Sequence, residues 1–237
     1  MAMWPFGKKN HDEPAEAREP DVADEVTEEV PVAVVEQPVH DAVSGDTGPF
    51  DGDSVNIDDF DFSDFSIGVL NLGSMIIPLP KNSQVQVEMG EDGPRMVHIV
   101  TEFGRVTPVA FAAPNSAGQW TESVEQITAG MTGDGLNVET EQGPWGTEIV
   151  GAGANGSIRV IGVEGPRWML RMTTTAPPER VDKLRDLARE ITARTFVYRG
   201  SDPVLAGNSL PVTLPGPLVE QVQQAMEQRA QQADPHQ

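Results

Sequence analysis

The sequence predicts an α+β protein: a single antiparallel sheet of about six to eight strands, flanked by two main helices and preceded by a disordered acidic tail. Three observations carry this. Runs that alternate apolar and polar residues, separated by glycine and proline, recur between residues 66 and 176. Two longer stretches instead repeat their apolar residues at helical spacing. The charge is lopsided: residues 1–65 hold 18 acidic and 3 basic side chains, so 15 of the 21 net negative charges sit in the first quarter of the chain.

Residues 1–47 read as the tail, too acidic and too poor in large apolar groups to offset the entropy of ordering. Within it, "VPVAVVEQPV" is an apolar island, read as an extended segment or a docking motif. Residues 48–65, "GPFDGDSVNIDDFDFSDF", read as a linker in which Phe50, Phe60, Phe62 and Phe65 alternate with acids and can enter an apolar groove. An EF-hand loop is a poor match, because Val55 stands where an oxygen donor is needed. The domain proper is expected over 66–215. "SIGVLNLGSMIIPLP", "QVQVEM", "RMVHIVTEF" and "VTPVAFAAP" make a meander of short-turned strands. Asn115 or Ser116 is the expected cap of a first helix, on which Trp120, Val124, Ile127 and Met131 share a face. "LNVETEQGPW", "TEIVGA", "SIRVIGV" and "PRWMLRMTTT" add strands. A second helix follows Pro177 and Pro178, with Val181, Leu184, Ala188 and Ile191 as its stripe. "TFVYRG" is a short last strand, and 216–237 is a modest amphipathic helix with Leu218 and Val222 on one side.

Composition narrows the function classes. A net charge of -21 with dispersed bases argues against nucleic acid. No cysteine is present, so disulfides, thiolate metal sites and cysteine nucleophiles are excluded. "MAMWPFGKKNHDEP" lacks the apolar stretch of a signal peptide, which makes a cytoplasmic location the expectation. Its aromatic–basic start is one membrane signal where stable anchoring takes two.

"GAGANG" sets Gly151, Gly153 and Gly156 at the spacing of a dinucleotide-binding turn. That turn must open a helix, whereas "SIRVIGV" is β-branched and ends at Gly165–Pro166. A hairpin is expected instead, with Asn155–Gly156 as a type I′ pair. No cofactor and no metal site is expected. Of the four histidines only His98 lies in the core, within "MVHIV". Glu88, Glu122, Glu139, Glu141 and Glu148 read as solvent-facing. Together with His98 they are the material for an alternative reading as an enzyme or small-molecule-binding domain.

Two blocks, "QGPWGTE" and "EGPRWMLR", each set a tryptophan just after a Gly-Pro turn. Trp145 and Trp168 are read either as core anchors or as parts of a recognition face. In the second reading Arg167 and Arg171, on the other side of the strand, clamp a carboxylate, with the acidic segment 58–64 as one candidate. The leading expectation is a non-enzymatic interaction protein that binds an unidentified protein partner, with the acidic tail as tether or autoinhibitor.

With "GPFD", "LNLGSMIIPLP", "QVQVEM", "GPWGTEIVG" and "GVEGPRWMLR" together, the chain resembles the actinobacterial family called domain of unknown function 3710, over about residues 48–215. That resemblance implies a cytoplasmic actinobacterial protein and brings no activity or catalytic residue with it. The order of meander, helix, strands and helix also resembles the Mog1/PsbP-like fold, whose members are mostly accessory binding proteins.

Overall fold

A computed structural model describes residues 40–90, 93–220 and 223–224. The tail up to residue 39, and most of the expected C-terminal helix, lie outside these residues. The strands are β1 (Phe50–Asp51), β2 (Ser66–Asn71), β3 (Met75–Pro80), β4 (Gln84–Gly90), β5 (Gly93–Thr101), β6 (Gly104–Ala112), β7 (Asn137–Gly143), β8 (Gly146–Gly153), β9 (Gly156–Gly165), β10 (Trp168–Ala176) and β11 (Phe196–Val197). The helices are α1 (Gln119–Gly133) and α2 (Val181–Thr192).

Seven strands form an antiparallel sheet in the order β4-β5-β6-β10-β9-β8-β7. Two meanders, β4 to β6 and β7 to β10, join edge to edge through β6 and β10. α1 carries the chain from the centre of this sheet to its far edge. The expectation of a single sheet is corrected by a second one, four-stranded and mixed, in the order β1-β11-β3-β2. β1 and β11 pair in parallel and contribute two residues each. Strands that short show no alternation, and β1 lies inside the acidic stretch read as a linker.

Alternation along the large sheet decides what each face buries. Trp168, Leu170 and Met172 point into the main core, shared with Leu184, Ala188 and Ile191 of α2 and with Leu70, Met75, Ile77 and Val197 of the small sheet. Met169, Val160 and Ile149 point the other way, against Trp120 and Met131 of α1. α1 lies over β7, β8 and β9.

β8 and β9 form the expected hairpin, but its turn sits one residue earlier than the Asn155–Gly156 pair. Gly153 faces Gly156 across the ladder, so Ala154 and Asn155 make the turn. Neither has a positive φ, so it is not type I′. Gly156 itself has φ +150°, and a Cβ there would stand 2.4 Å from the Ala176 carbonyl oxygen. The glycine is needed for that close approach to the end of β10.

α1 also begins later than expected, after Gly118, and neither Asn115 nor Ser116 caps it. The Glu164 carboxylate, arriving from β9, replaces the cap. It accepts from the Gly118 amide at 3.1 Å and the Trp120 amide at 2.7 Å. A carboxylate there satisfies orphan amides and suits the positive end of the helix dipole.

Candidate functional site

The β7–β8 and β9–β10 turns lie at the same end of the large sheet, and each contains one of the Gly-Pro blocks. Trp145 occupies the first turn and Trp168 opens the strand after the second. Both indoles are buried and point at residues 48–51, which lead into and form β1 of the small sheet. Trp145 Nε1 donates to the Gly48 carbonyl at 2.9 Å. Trp168 Nε1 donates to Asp51 Oδ1 at 3.0 Å, while Asp51 Oδ2 accepts from the Ser54 hydroxyl at 2.6 Å. Asp51 is itself buried, so the bond partners a carboxylate that would otherwise be costly to bury. "GPFD", "GPWG" and "GPRW" are therefore one clamp in space.

Beside the clamp is a cleft of about 490 Å³. Its roof is residues 40–43, its walls are the 113–118 loop with the rings of Trp120 and Trp145, and its floor is Gly162, Glu164 and Gly165. Backbone and ring packing carve this floor. A Cβ on Gly162 would lie 2.1 Å from the Trp120 ring, and one on Gly165 would lie 2.1 Å from the Trp168 ring. Trp120 is fixed further by its Nε1 bond to the Thr147 carbonyl at 2.9 Å.

Three ionisable groups meet the cleft, Glu164 at its floor and His40 and Asp41 at its roof. Glu164, half-buried, spends Oε1 on the Gly118 and Trp120 amides and Oε2 on Gly118 alone. At the roof, His40 Nε2 lies 2.7 Å from the Pro49 carbonyl oxygen, to which it donates. Burial holds this imidazole below its ordinary value, partly offset by that bond. Asp41 accepts from the Val43 and Ser44 amides, and these bonds hold its carboxyl below the usual range.

The recognition face expected from Trp168, Arg167 and Arg171 is not assembled. Trp168 is 0% exposed, sealed against Asp51 and Gly165. Arg167 lies outside the strand, in the β9–β10 turn, at φ +59°, a left-handed conformation unusual for a side chain with a Cβ. Its guanidinium is exposed and reaches toward the Gly200 carbonyl. Arg171 lies on the α1 side of the sheet, over the Phe111 ring. The phenylalanines dock elsewhere. Phe60 packs 4.7 Å from Phe50 and 5.4 Å from Phe196, and Phe62 stacks on Phe60. Phe65 takes the Arg194 guanidinium at 4.5 Å. The segment thus covers the small sheet, and its acids do not reach Arg167 or Arg171.

The carboxylates are dispersed. Glu88 lies on one edge strand of the large sheet, Glu139 and Glu141 on the opposite edge, and Glu122 on α1. His98 is buried, with Nδ1 2.8 Å from Thr107 Oγ1 and Nε2 3.7 Å from Glu88. Glu148 corrects its solvent-facing assignment: it is 1% exposed. It binds Arg159 at 2.6 Å and Arg189 of α2 at 2.9 Å, while Arg159 also binds Glu141 at 2.8 Å. This network latches α2 to the sheet. Sequence reasoning missed Glu164 and the roof residues. The one signal available was Gly162 and Gly165 on either side of Glu164, inside a block already unusual for its tryptophan.

The family described as Protein of unknown function (DUF3710) matches residues 48–221. A search of curated proteins finds no match. Among solved structures the chain is similar to the solution structure of cyanobacterial PsbP (CyanoP) from Synechocystis sp. PCC 6803, at 10% identity and a TM-score of 0.37, over 53% of this chain and 87% of that one. Similarity at that level carries nothing about ligand or partner. Among the described residues no helix is long and apolar enough to cross a membrane.

Proposed function

We propose that this chain, which belongs to the DUF3710 family, is a non-catalytic binding domain whose cleft takes a small molecule with an apolar body and a hydrogen-bond-donating head. The observation that carries this reading is the cleft itself. Its volume of about 490 Å³ lies in the range of small-molecule sites, and two indole rings flank a single half-buried carboxylate. Glu164 Oε2 takes only one bond, of 3.1 Å, so it has lone pairs left for an N–H or O–H of the ligand.

Absence of catalysis is part of the proposal. Glu164 is committed to two backbone amides and His40 Nε2 to a carbonyl. Among the described residues neither Ser116 nor Thr121, the hydroxyls at the cleft, is bonded to a base that would activate it. An interaction surface centred on Trp168 gains no support from the geometry, because that ring is sealed inside the clamp.

The test uses phenethylamine, which has a donating head, and phenylacetate, which has none. Each is titrated into the full chain and followed by amide NMR. Phenethylamine is expected to give saturable shifts at Gly118, Trp120 and Gly165, and phenylacetate none. Val43→Trp, which fills the cleft from its exposed roof, is expected to abolish the response while the spectrum stays that of a folded protein. No shift with the amine, or an undiminished one in the variant, overturns the reading.

A further inference from the structure

Arg171 stands apart among the partly buried cations, because its guanidinium makes no hydrogen bond or ion pair with the described residues. It lies in β10, opposite Val109 of β6 and Gly162 of β9, on the α1 side of the sheet, where α1 packs mainly over β7 to β9 and meets β10 at Met169. The guanidinium lies 4.7 Å from the centre of the Phe111 ring. The residue is half-buried, and its Nε is shut off from solvent with no hydrogen-bond partner. Among the described residues no carboxylate pairs with it, although the chain pairs Arg159 with two carboxylates and Arg189 with one. A cation withdrawn from water is normally compensated by an anion in bonding geometry. Burial holds this guanidinium below the ordinary arginine value, which reports the same missing compensation.

We propose that Arg171 is the anchor of a carboxylate-binding site on the open half of this sheet face. The proposal does not rest on the cleft, although Gly162 of the cleft floor lies across the ladder from Arg171. Phe111 fixes the guanidinium plane, as ring stacking does for arginine, and so leaves its N–H fork pre-aimed. The half-buried Thr173 lies two residues along the same face, roughly 6.6 Å away along the strand. Its hydroxyl makes no bond within the described chain and supplies a second donor for the anion.

A carboxylate fits better than a phosphate. One guanidinium balances one negative charge in a bidentate pair. A phosphate monoester would bring nearly two charges to a site with one cation, in a chain already at -21. The shared chemistry is a carboxylate, whether from a small organic acid or from the side chain of an acidic peptide.

The experiment follows the Arg171 Nε–H and the Gly162 and Thr173 amides of the full chain by NMR at fixed ionic strength. Acetate replaces chloride in one arm, and a capped triglutamate peptide in another. Saturable shifts with acetate are expected, weakened about tenfold or more in Arg171→Met, the loss of one charge-assisted contact. Arg171→Lys should retain part of the response. A peptide that binds more tightly than acetate assigns the anion to an acidic peptide, and equal binding assigns it to a free acid; both support the site. Equal effects of acetate and chloride, or shifts that persist undiminished in Arg171→Met, overturn it. Because the cation is uncompensated, Arg171→Met should also leave the unfolding midpoint unchanged or raise it. A lowered midpoint together with an unchanged acetate response would mark Arg171 as packing alone.

Discussion

Glu148→Gln tests whether the buried ionic network holds α2 to the sheet. Glu148 accepts three hydrogen bonds, at 2.6 Å from Arg159 and at 2.9 and 3.0 Å from Arg189. It fits only because Gly143, two residues along β7 from its cross-strand partner Glu141, has no side chain; a Cβ there would lie 2.1 Å from its Oε1. Glutamine keeps the shape but removes the charge and turns an NH₂ group toward a guanidinium. Arg159, 3% exposed, would then keep only Glu141, whose side chain is 43% exposed. Breaking a buried pair from one side costs about 3–5 kcal/mol. With an m-value of about 2 kcal/mol/M, the urea midpoint should fall by about 1.5–2.5 M at unchanged m. Glu141→Gln, at the wet end of the network, should cost about 1 kcal/mol or less. Replacing both buried partners, by Glu148→Leu with Arg159→Met, should recover most of the loss, since no uncompensated charge then remains in the core. Equal midpoint shifts for Glu148→Gln and Glu141→Gln would refute the assignment of Glu148 as the buried hub.

Gly162→Ala should destabilise by about 1–3 kcal/mol or more, because the added methyl meets the Trp120 ring at 2.1 Å; thermal unfolding reads the loss, and a cost near zero would mean the ring is not seated there. Stability should fall as pH is lowered from 7 to 5. Burial holds both His40 and His98 below the ordinary imidazole value of 6.5. The unfolded chain therefore takes up protons first, and ΔG of unfolding falls as pH drops below about 6.5, by at most about 1.4 kcal/mol per pH unit for each histidine. Urea unfolding at pH 7.5, 6.5 and 5.5 measures this slope. His98→Gln should flatten it, and a flat wild-type profile would contradict the burial of both rings.

How much of this was legible in the sequence follows from the range of the forces involved. Strands of the large sheet and the stripes of both helices were readable, because alternation and helical period are local signatures of a buried face. The hairpin at "GAGANG" was readable from the β-branched run after it. Its turn position was not, because the demand on Gly156 comes from the Ala176 carbonyl, 20 residues on. The cap of α1 was hidden for a similar reason: its carboxylate lies 46 residues from the amide it serves. Glu148 sits in an alternating strand and reads as solvent-facing until Arg189 arrives from α2, 41 residues away. The small sheet was not separated from the large one, because β2 and β3 read as the start of one meander and β1, with two residues, gives no alternation at all.

The tryptophan blocks pose the same problem in a sharper form. Each could be read as an anchor or as a recognition surface, and nothing in one strand's alternation separates the two. The separation comes from the indole nitrogens, whose partners, the Gly48 carbonyl and the Asp51 carboxylate, lie about a hundred residues upstream in a stretch whose acidity suggests a linker. Acidity was a poor guide there because Asp51 is buried with its oxygens bonded by an indole and a hydroxyl, partners that no composition reveals. Once Trp145 holds residue 48, the chain on its N-terminal side is brought across the sheet end, and residues 40–43 become the roof of the cleft. The floor obeys the same logic of pairs. Gly162 exists for Trp120 and Gly165 for Trp168, since a methyl at either position would occupy the place of the ring. A larger residue at either glycine is therefore expected to be rescued only by a smaller ring at its partner, so the shape of the cleft is a property of glycine–tryptophan pairs and not of its lining taken residue by residue.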